Sequence, residues 1–320
     1  MKITIVAFDL WGFNEKVADY LKLQGNEVTF IDSDKIKYVY KNKKERIVNF
    51  FNKLLFNKNI KKNYRNNKIL EIIHQLPKQD CILIVNPYQF HADIVNLLRE
   101  KAQFYIAHNY DSLTRIPLPI NYKQLFDKVY SFDIEDVKSN HDLGFLTNFI
   151  YLDKEVNEDC KNKTFMILSK SIEREKILSE IADFFDEKGI ANYEFIVAYP
   201  EFKNGNKNIQ LINHHIDLEL VIDKMKNSEI LIDLVRPKQT GLSFRIFEAM
   251  ALHKKIITNN QTITQYDFYN PNNILVIDNQ DVKLPDDFLN SKYEEIPAEI
   301  YQKYTLKHWV QTVFYDNIQN

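Results

Sequence analysis

Short apolar runs rich in β-branched residues alternate along the chain with stretches whose apolar positions recur at helical spacing. Residues 2–8 (KITIVAF) read as a buried strand ending at Asp9. After a turn at Trp11–Gly12, a helix is predicted over 14–23, with Asn14 as its N-cap. Gly25 and Asn26 stop it, and residues 27–31 form the second strand, so the segment is a βαβ unit and predicts a parallel sheet. Strands follow at 82–85, 104–107 and 128–132, with a helix over 92–101. The pattern then restarts with a strand at 164–168, a long helix over 173–188 closed by Gly189, and a strand at 194–198. Strands at 229–233, 255–258 and 274–277 complete the second half, interleaved with helices over 217–226 and 243–252.

Two successive α/β halves of similar size result, with a boundary near residues 152–163. The expected division is 1–155, 156–297 and a terminal aromatic helix within 298–320 that packs back on the first domain. A length of 320 residues suits two domains of roughly 150 each. Apolar residues make up 45% of the chain, enough for two cores, and the formal charge of −2 gives no overall pull toward nucleic acid. No apolar run is long enough to span a bilayer. The opening residues do not read as an export signal, because Asp9 interrupts the apolar run at once. Cys81 and Cys160 form neither a disulfide framework nor a zinc motif, so a reducing, cytoplasmic setting is expected, at most against the inner face of the membrane. With only six glycines, each is expected where the backbone needs it.

One stretch departs from the balanced charge. Residues 35–68 carry twelve Lys/Arg and a single acid, Glu45, interleaved with Ile47, Phe50, Phe51, Leu54 and Leu55 at helical spacing. Two readings stand. The apolar stripe packs on its own domain beneath a basic surface, or the stretch rests on an anionic membrane. No nucleic-acid motif accompanies it, so nucleic acid is not an expected partner.

Candidate chemistry concentrates in the second half. The first βα turn, from Asp9 to Phe13, has one glycine and a bulky Trp11, which fails the dinucleotide fingerprint. Asp9 still sits at a strand end, where α/β sheets bind ligands. In the segment 236–258 a strand ending at Asp233 runs into a loop, and Gly241 and Ser243 open a helix. Free backbone N–H groups and the helix dipole suit that start to an anion, and Arg236, Lys238 and Arg245 add positive charge. One turn on, Glu248 can accept two hydroxyls, as a ribose requires. The plain alternative is that Arg245 and Glu248, three apart, form a surface ion pair.

This segment, Gln239-Thr-Gly-Leu-Ser-Phe-Arg-Ile-Phe-Glu-Ala-Met-Ala-Leu252, resembles the donor-binding helix of GT-B glycosyltransferases. Together with Tyr266-Asp-Phe-Tyr-Asn-Pro-Asn-Asn-Ile274, the segments Tyr110–Pro117 and Phe126–Asp136 resemble lipopolysaccharide and capsule biosynthesis transferases. The resemblance spans about residues 105 to 280. It implies two Rossmann-like domains facing each other across a cleft, a nucleotide-sugar donor, and a glycan or lipid-linked glycan acceptor of the bacterial surface. It also implies that Glu248 holds the donor ribose, that Gly241 and Ser243 offer donors to the phosphates, and that Lys170 and Arg174 neutralise the diphosphate. No Asp-x-Asp metal signature is present, so a metal-independent reaction without a further cofactor is expected. Many retaining relatives carry a second glutamate where this chain has Thr240, and a glycine where it has His253. An acceptor base from the first half is sought among the strand-end residues Asp9, His91, His108 and Asp111, with Asp111 in the most family-like segment. Asp133 is expected to cap the helix that follows it. His214 and His215 are expected on a surface loop. The same resemblance leaves open an epimerase or hydrolase acting on the nucleotide-sugar, or a non-catalytic binding protein.

Overall fold

Two six-stranded, all-parallel sheets organise the chain in the computed structural model, which describes residues 1–56, 58–202 and 205–317. The first contains β1 (Lys2–Ala7), β2 (Glu27–Asp32), β3 (Gln79–Val85), β4 (Ala102–Asn109), β5 (Lys128–Ser131) and β6 (Gly144–Phe145), in the order β2-β1-β3-β4-β5-β6. The second contains β7 (Asn162–Ser169), β8 (Tyr193–Ala198), β9 (Gln210–Ile212), β10 (Ser228–Asp233), β11 (Lys255–Thr258) and β12 (Ile274–Val276), in the order β12-β11-β10-β7-β8-β9. Parallel strands covered on both faces must be apolar almost continuously. Accordingly Ile3, Ile5 and Val6 of β1 and Ile230, Leu231 and Ile232 of β10 are fully buried. Each order reverses direction once, between β1 and β3 in the first sheet and between β7 and β10 in the second. Ligands of open α/β sheets settle at such reversals, beyond the carboxyl ends of the strands.

The connecting helices in the first half are α1 (Phe13–Leu23), α2 (Lys43–Phe56), α3 (Ile60–Gln75), α4 (Ala92–Lys101), α5 (Tyr122–Leu125) and α6 (Ile134–Ser139). Those of the second are α7 (Ile172–Glu187), α8 (Leu218–Lys226) and α9 (Phe244–Leu252). Grouped by contacts, the first unit holds Met1–Phe132, Asp136–Leu146 and the stretch from Val310 onward. The second holds Asp133–Glu135 and Thr147–Trp309. Within the first unit, Asn26 donates to the Tyr315 hydroxyl at 2.8 Å and Asn317 to that of Tyr130 at 2.7 Å.

Several local expectations need correction. The N-cap of α1 is Gly12 in the left-handed region (φ 76), not Asn14. Asp9 replaces a side-chain cap, accepting from Asn14 N at 3.2 Å and Glu15 N at 2.8 Å. The basic stretch forms two helices, and the apolar stripe of α2 does not pack on its own domain. Instead, Ile47, Phe50, Phe51, Leu54 and Leu55 are each at least half exposed. The terminal helix is broken into Ala298–Gln302, Leu306–Val310 and a π-helical turn, Gln311–Tyr315. Its break has a cause: Ile150 N donates to Tyr304 O at 2.7 Å and Leu306 N to Ile150 O at 3.1 Å, diverting backbone groups a continuous helix would use.

Candidate functional site

The second sheet's reversal carries a pocket. Beyond the ends of β7 and β10, a cavity of about 470 Å³ is lined by Glu173, Arg174, Lys176, Ile177 and Glu180 of α7, by Val235–Gln239, and by Asn259 and Asn279. Arg174 donates to Ser169 O at 2.9 Å, and Arg236 donates to Ser169 Oγ at 2.9 Å, so both guanidiniums are held at the end of β7. Lys238 joins them with its backbone in the left-handed region (φ 65), a costly conformation for a lysine and one that concentrates at functional loops. The lining combines four cations with two carboxylates and three side-chain amides, a surplus of positive charge suited to an anionic ligand.

The loop that follows is tied down from behind. Asn260 Nδ2 donates to Thr240 O at 3.0 Å and to Gly241 O at 3.3 Å, and Thr262 Oγ1 donates to Thr240 O at 2.5 Å. Asn148 Nδ2 donates to Leu242 O at 2.8 Å. With its carbonyls fixed, the loop presents its N–H groups on the other side, and these hold an anion. Asp133 accepts from Gly241 N at 3.1 Å, from Thr240 N at 3.3 Å and from Thr240 Oγ1 at 2.6 Å. Asp133 also accepts from Glu135 N at 3.0 Å, the capping contact its position predicts. The loop is thus a preorganised oxyanion nest with a carboxylate already in it.

Helix α9 begins at Ser243, whose hydroxyl accepts from Arg245 N at 3.1 Å as an N-cap. Its single O–H proton goes to Asp233 Oδ1 at 2.7 Å, so that hydroxyl is not a spare phosphate donor, contrary to expectation. Asp233 is enclosed; burial raises its carboxyl pKa, opposed by Ser243 and by the Arg245 and Arg174 guanidiniums. Residues Ile246 to Leu252 are all buried, so α9 is a core helix and Glu248 is a carboxylate inside it. It is not part of a surface ion pair. Arg245 Nε donates to Glu248 Oε2 at 3.1 Å with side chains 15% and 5% exposed, and the Tyr151 hydroxyl donates to Oε1. Burial and the neighbouring carboxylate together raise the Tyr151 pKa. Arg245 lies over the Phe165 ring, and its Nη1 is buried without a hydrogen-bond partner. The helix ends at His253 in the left-handed conformation (φ 53), a C-cap geometry that glycine adopts more readily.

Of the donor-side residues expected from sequence, Arg174, Arg236, Thr240, Gly241, Ser243, Arg245 and Glu248 lie along this one loop–helix segment or face it from α7. Lys170 does not join the pocket lining; it turns to Glu201 at 3.1 Å and is largely exposed. Sequence reasoning missed Asn148, Tyr151, Asn260 and Thr262. Asn259 and Asn260 did carry a signal, as consecutive amides at the end of β11.

The candidates for a base stand differently, and His91 caps α4, its Nδ1 accepting from Asp93 N at 3.4 Å. His108 is fully buried, and its Nε2 donates to Leu146 O at 2.8 Å; burial lowers its pKa to about 4. A base must meet its substrate, and this enclosed imidazole does not, so His108 is corrected to a structural residue. Asp9 accepts three hydrogen bonds from Asn14 and Glu15 at the start of α1; burial raises its pKa and those bonds oppose the rise. Asp111 pairs with Arg115 at 2.5 Å and remains partly exposed. His214 and His215 are exposed on a loop. Among the described residues no His/Cys/Asp/Glu cluster is arranged to hold a metal, and no helix is long and apolar enough to cross a membrane.

No protein-family model matches the chain, and no curated protein does. Solved structures do match in fold. One is an α-glucosyltransferase solved with UDP and a 13-mer DNA containing an HMU base (TM-score 0.58, 14% identity, covering 100% of both chains). Another is a UDP-forming α,α-trehalose-phosphate synthase from Burkholderia xenovorans (TM-score 0.57, 11% identity, 99% of this chain and 98% of the other). A third is the N-terminal domain of a trehalose-6-phosphate phosphatase from Candida albicans (TM-score 0.56, 10% identity, 99% and 96%). At these identities the likeness establishes the fold alone: two parallel-sheet α/β units of GT-B-like type.

Proposed function

We propose that this protein is a glycosyltransferase that takes its sugar from a nucleotide-sugar bound by the second unit. The observation that carries the proposal is the nest at Thr240 and Gly241. A loop whose carbonyls are tied by Asn148, Asn260 and Thr262 turns its N–H groups onto a carboxylate, and a phosphate oxygen makes the same demands. The pocket beside it supplies Arg174, Arg236 and Lys238 to balance the charge that builds on a leaving diphosphate. Glu248 accepts one bond at each oxygen and keeps lone pairs for ribose hydroxyls. Two of the structures that share the fold concern UDP: one was solved with it and the other forms it.

For the acceptor we propose a glycan or lipid-linked glycan of the bacterial surface, as in lipopolysaccharide or capsule synthesis. The resemblance of Tyr110–Pro117 and Phe126–Asp136 to such transferases supports that choice. Asp111 is then the acceptor-side carboxylate. The test is a thermal-shift screen of UDP, ADP, GDP, CDP and their sugars, because a ligand binding only the folded chain raises its stability by about 2.7 kcal/mol at a hundred times Kd. At least one nucleoside diphosphate and its sugar should stabilise the protein. No shift with any of them overturns the reading.

A further inference from the structure

We propose that the outer face of α2 is a docking surface for an anionic lipid bilayer. The apolar stripe of α2 runs Ile47, Phe50, Phe51, Leu54, Leu55, at i, i+3, i+4, i+7 and i+8, so these side chains share one face. Their exposure ranges from 51% to 70%, where such a stripe in a water-facing helix is normally turned inward. The helix is fastened on its other side by a polar residue. Asn49, its one buried position, donates to the Tyr40 hydroxyl at 2.7 Å and accepts from Ile60 N at 2.9 Å. Asn49 lies roughly opposite the stripe on the helical wheel, so this anchorage holds the apolar face outward.

The charge around the stripe has one sign. Lys43, Lys44, Arg46 and Lys53 flank it, while Glu45 is engaged by Tyr38 and by Lys41 N. The basic side chains of α2 itself supply the positive charge next to the apolar face. An occupant must therefore offer hydrocarbon and negative charge over the same few square nanometres. A second copy of this chain would bring like charges together across a self-complementary contact. A polyanion in water offers nothing to the phenylalanines and leucines. An anionic bilayer supplies both, with acyl chains for the stripe and headgroup phosphates for the lysines.

This inference stands apart from the donor reading, and its test needs no nucleotide. The full chain is floated with phosphatidylcholine vesicles, with and without phosphatidylglycerol. It should float only with the anionic vesicles, and high salt should weaken the association. Phe50→Ser/Leu54→Ser and Lys44→Glu/Lys53→Glu, checked for an unchanged melting transition, should each lose about tenfold or more in partitioning. A parent chain that stays off anionic vesicles overturns the proposal. So does a serine variant that floats as well as the parent. Concentration-dependent dimerisation that the serines abolish, without vesicle binding, assigns the surface to a second copy and overturns it too.

Discussion

Arg245 donates to Glu248 at 3.1 Å inside the second unit, with the guanidinium 15% and the carboxylate 5% exposed. The spacing of three along a helix makes this pair legible from sequence as an ion pair, but burial changes its meaning. A solvated pair contributes under about 1 kcal/mol. A buried one is expensive to break, because the surviving charge is stranded. Glu248→Ala should therefore destabilise the protein by about 3–5 kcal/mol by leaving Arg245 unpaired, and its loss of ligand binding would prove little. Tyr151→Phe should cost about 1–2 kcal/mol, since it removes one hydrogen bond to a charged acceptor and leaves the pair intact. Urea denaturation of both variants measures the difference, and equal costs would contradict the buried-pair reading.

The Asp133 carboxylate on Gly241 N and Thr240 N has a separate consequence. If donor phosphate uses these N–H groups, it must displace Asp133. Asp133→Ala should then raise nucleoside-diphosphate affinity by about tenfold, while stability falls by about 1–3 kcal/mol from the lost bonds. Calorimetric titration reads the first change and chemical denaturation the second. An affinity that falls with stability makes Asp133 a brace for the loop and not a competitor.

His108 predicts an acid limit to stability. Its folded pKa, lowered to about 4 by burial, lies below the ordinary 6.5. Between those values the unfolded chain binds more protons than the folded one, so stability falls as pH drops through the window. The loss between about pH 7 and about pH 5 is roughly 2 kcal/mol. His108→Gln keeps an N–H for Leu146 O and cannot titrate, so its stability should decline less over the same range. Parallel unfolding curves at both pH values for parent and variant would refute this.

Much of the fold was open to sequence reading because parallel strands buried on both faces are written as uninterrupted β-branched runs. Residues 3–7 (ITIVA) carry that signal plainly. Strands β6 and β9, two and three residues long, are too short to show any period. The periodicity of α2 correctly marked an apolar face; it carries no information on what covers that face. The segment from Arg236 to Glu248 drew notice through its glycine, its cations and its acid. What makes its loop an anion nest lies elsewhere: Asn148 is 94 residues from Leu242, and Asp133 is 108 from Gly241. Those partners are short polar side chains without a local pattern, and only the folded chain brings them to the loop.

The proposed acceptor role of Asp111 stands beside an enclosed His108 and an Asp9 that holds the start of α1. Asp111 holds Arg115 at 2.5 Å and is partly exposed, which suits a group that orients an acceptor hydroxyl or takes its proton. Asp111→Asn preserves size, so the segment should stay folded, and nucleoside-diphosphate affinity should be unchanged. Turnover should fall by about a hundredfold if the carboxylate takes the proton, the range set by loss of a general base. A fall confined to acceptor KM would instead make Asp111 a positioning residue for the acceptor. Unchanged kcat and KM would remove it from the reaction, and Asp9→Asn would then be the next variant, with a cost in helix capping of about 1 kcal/mol to separate from any loss of rate.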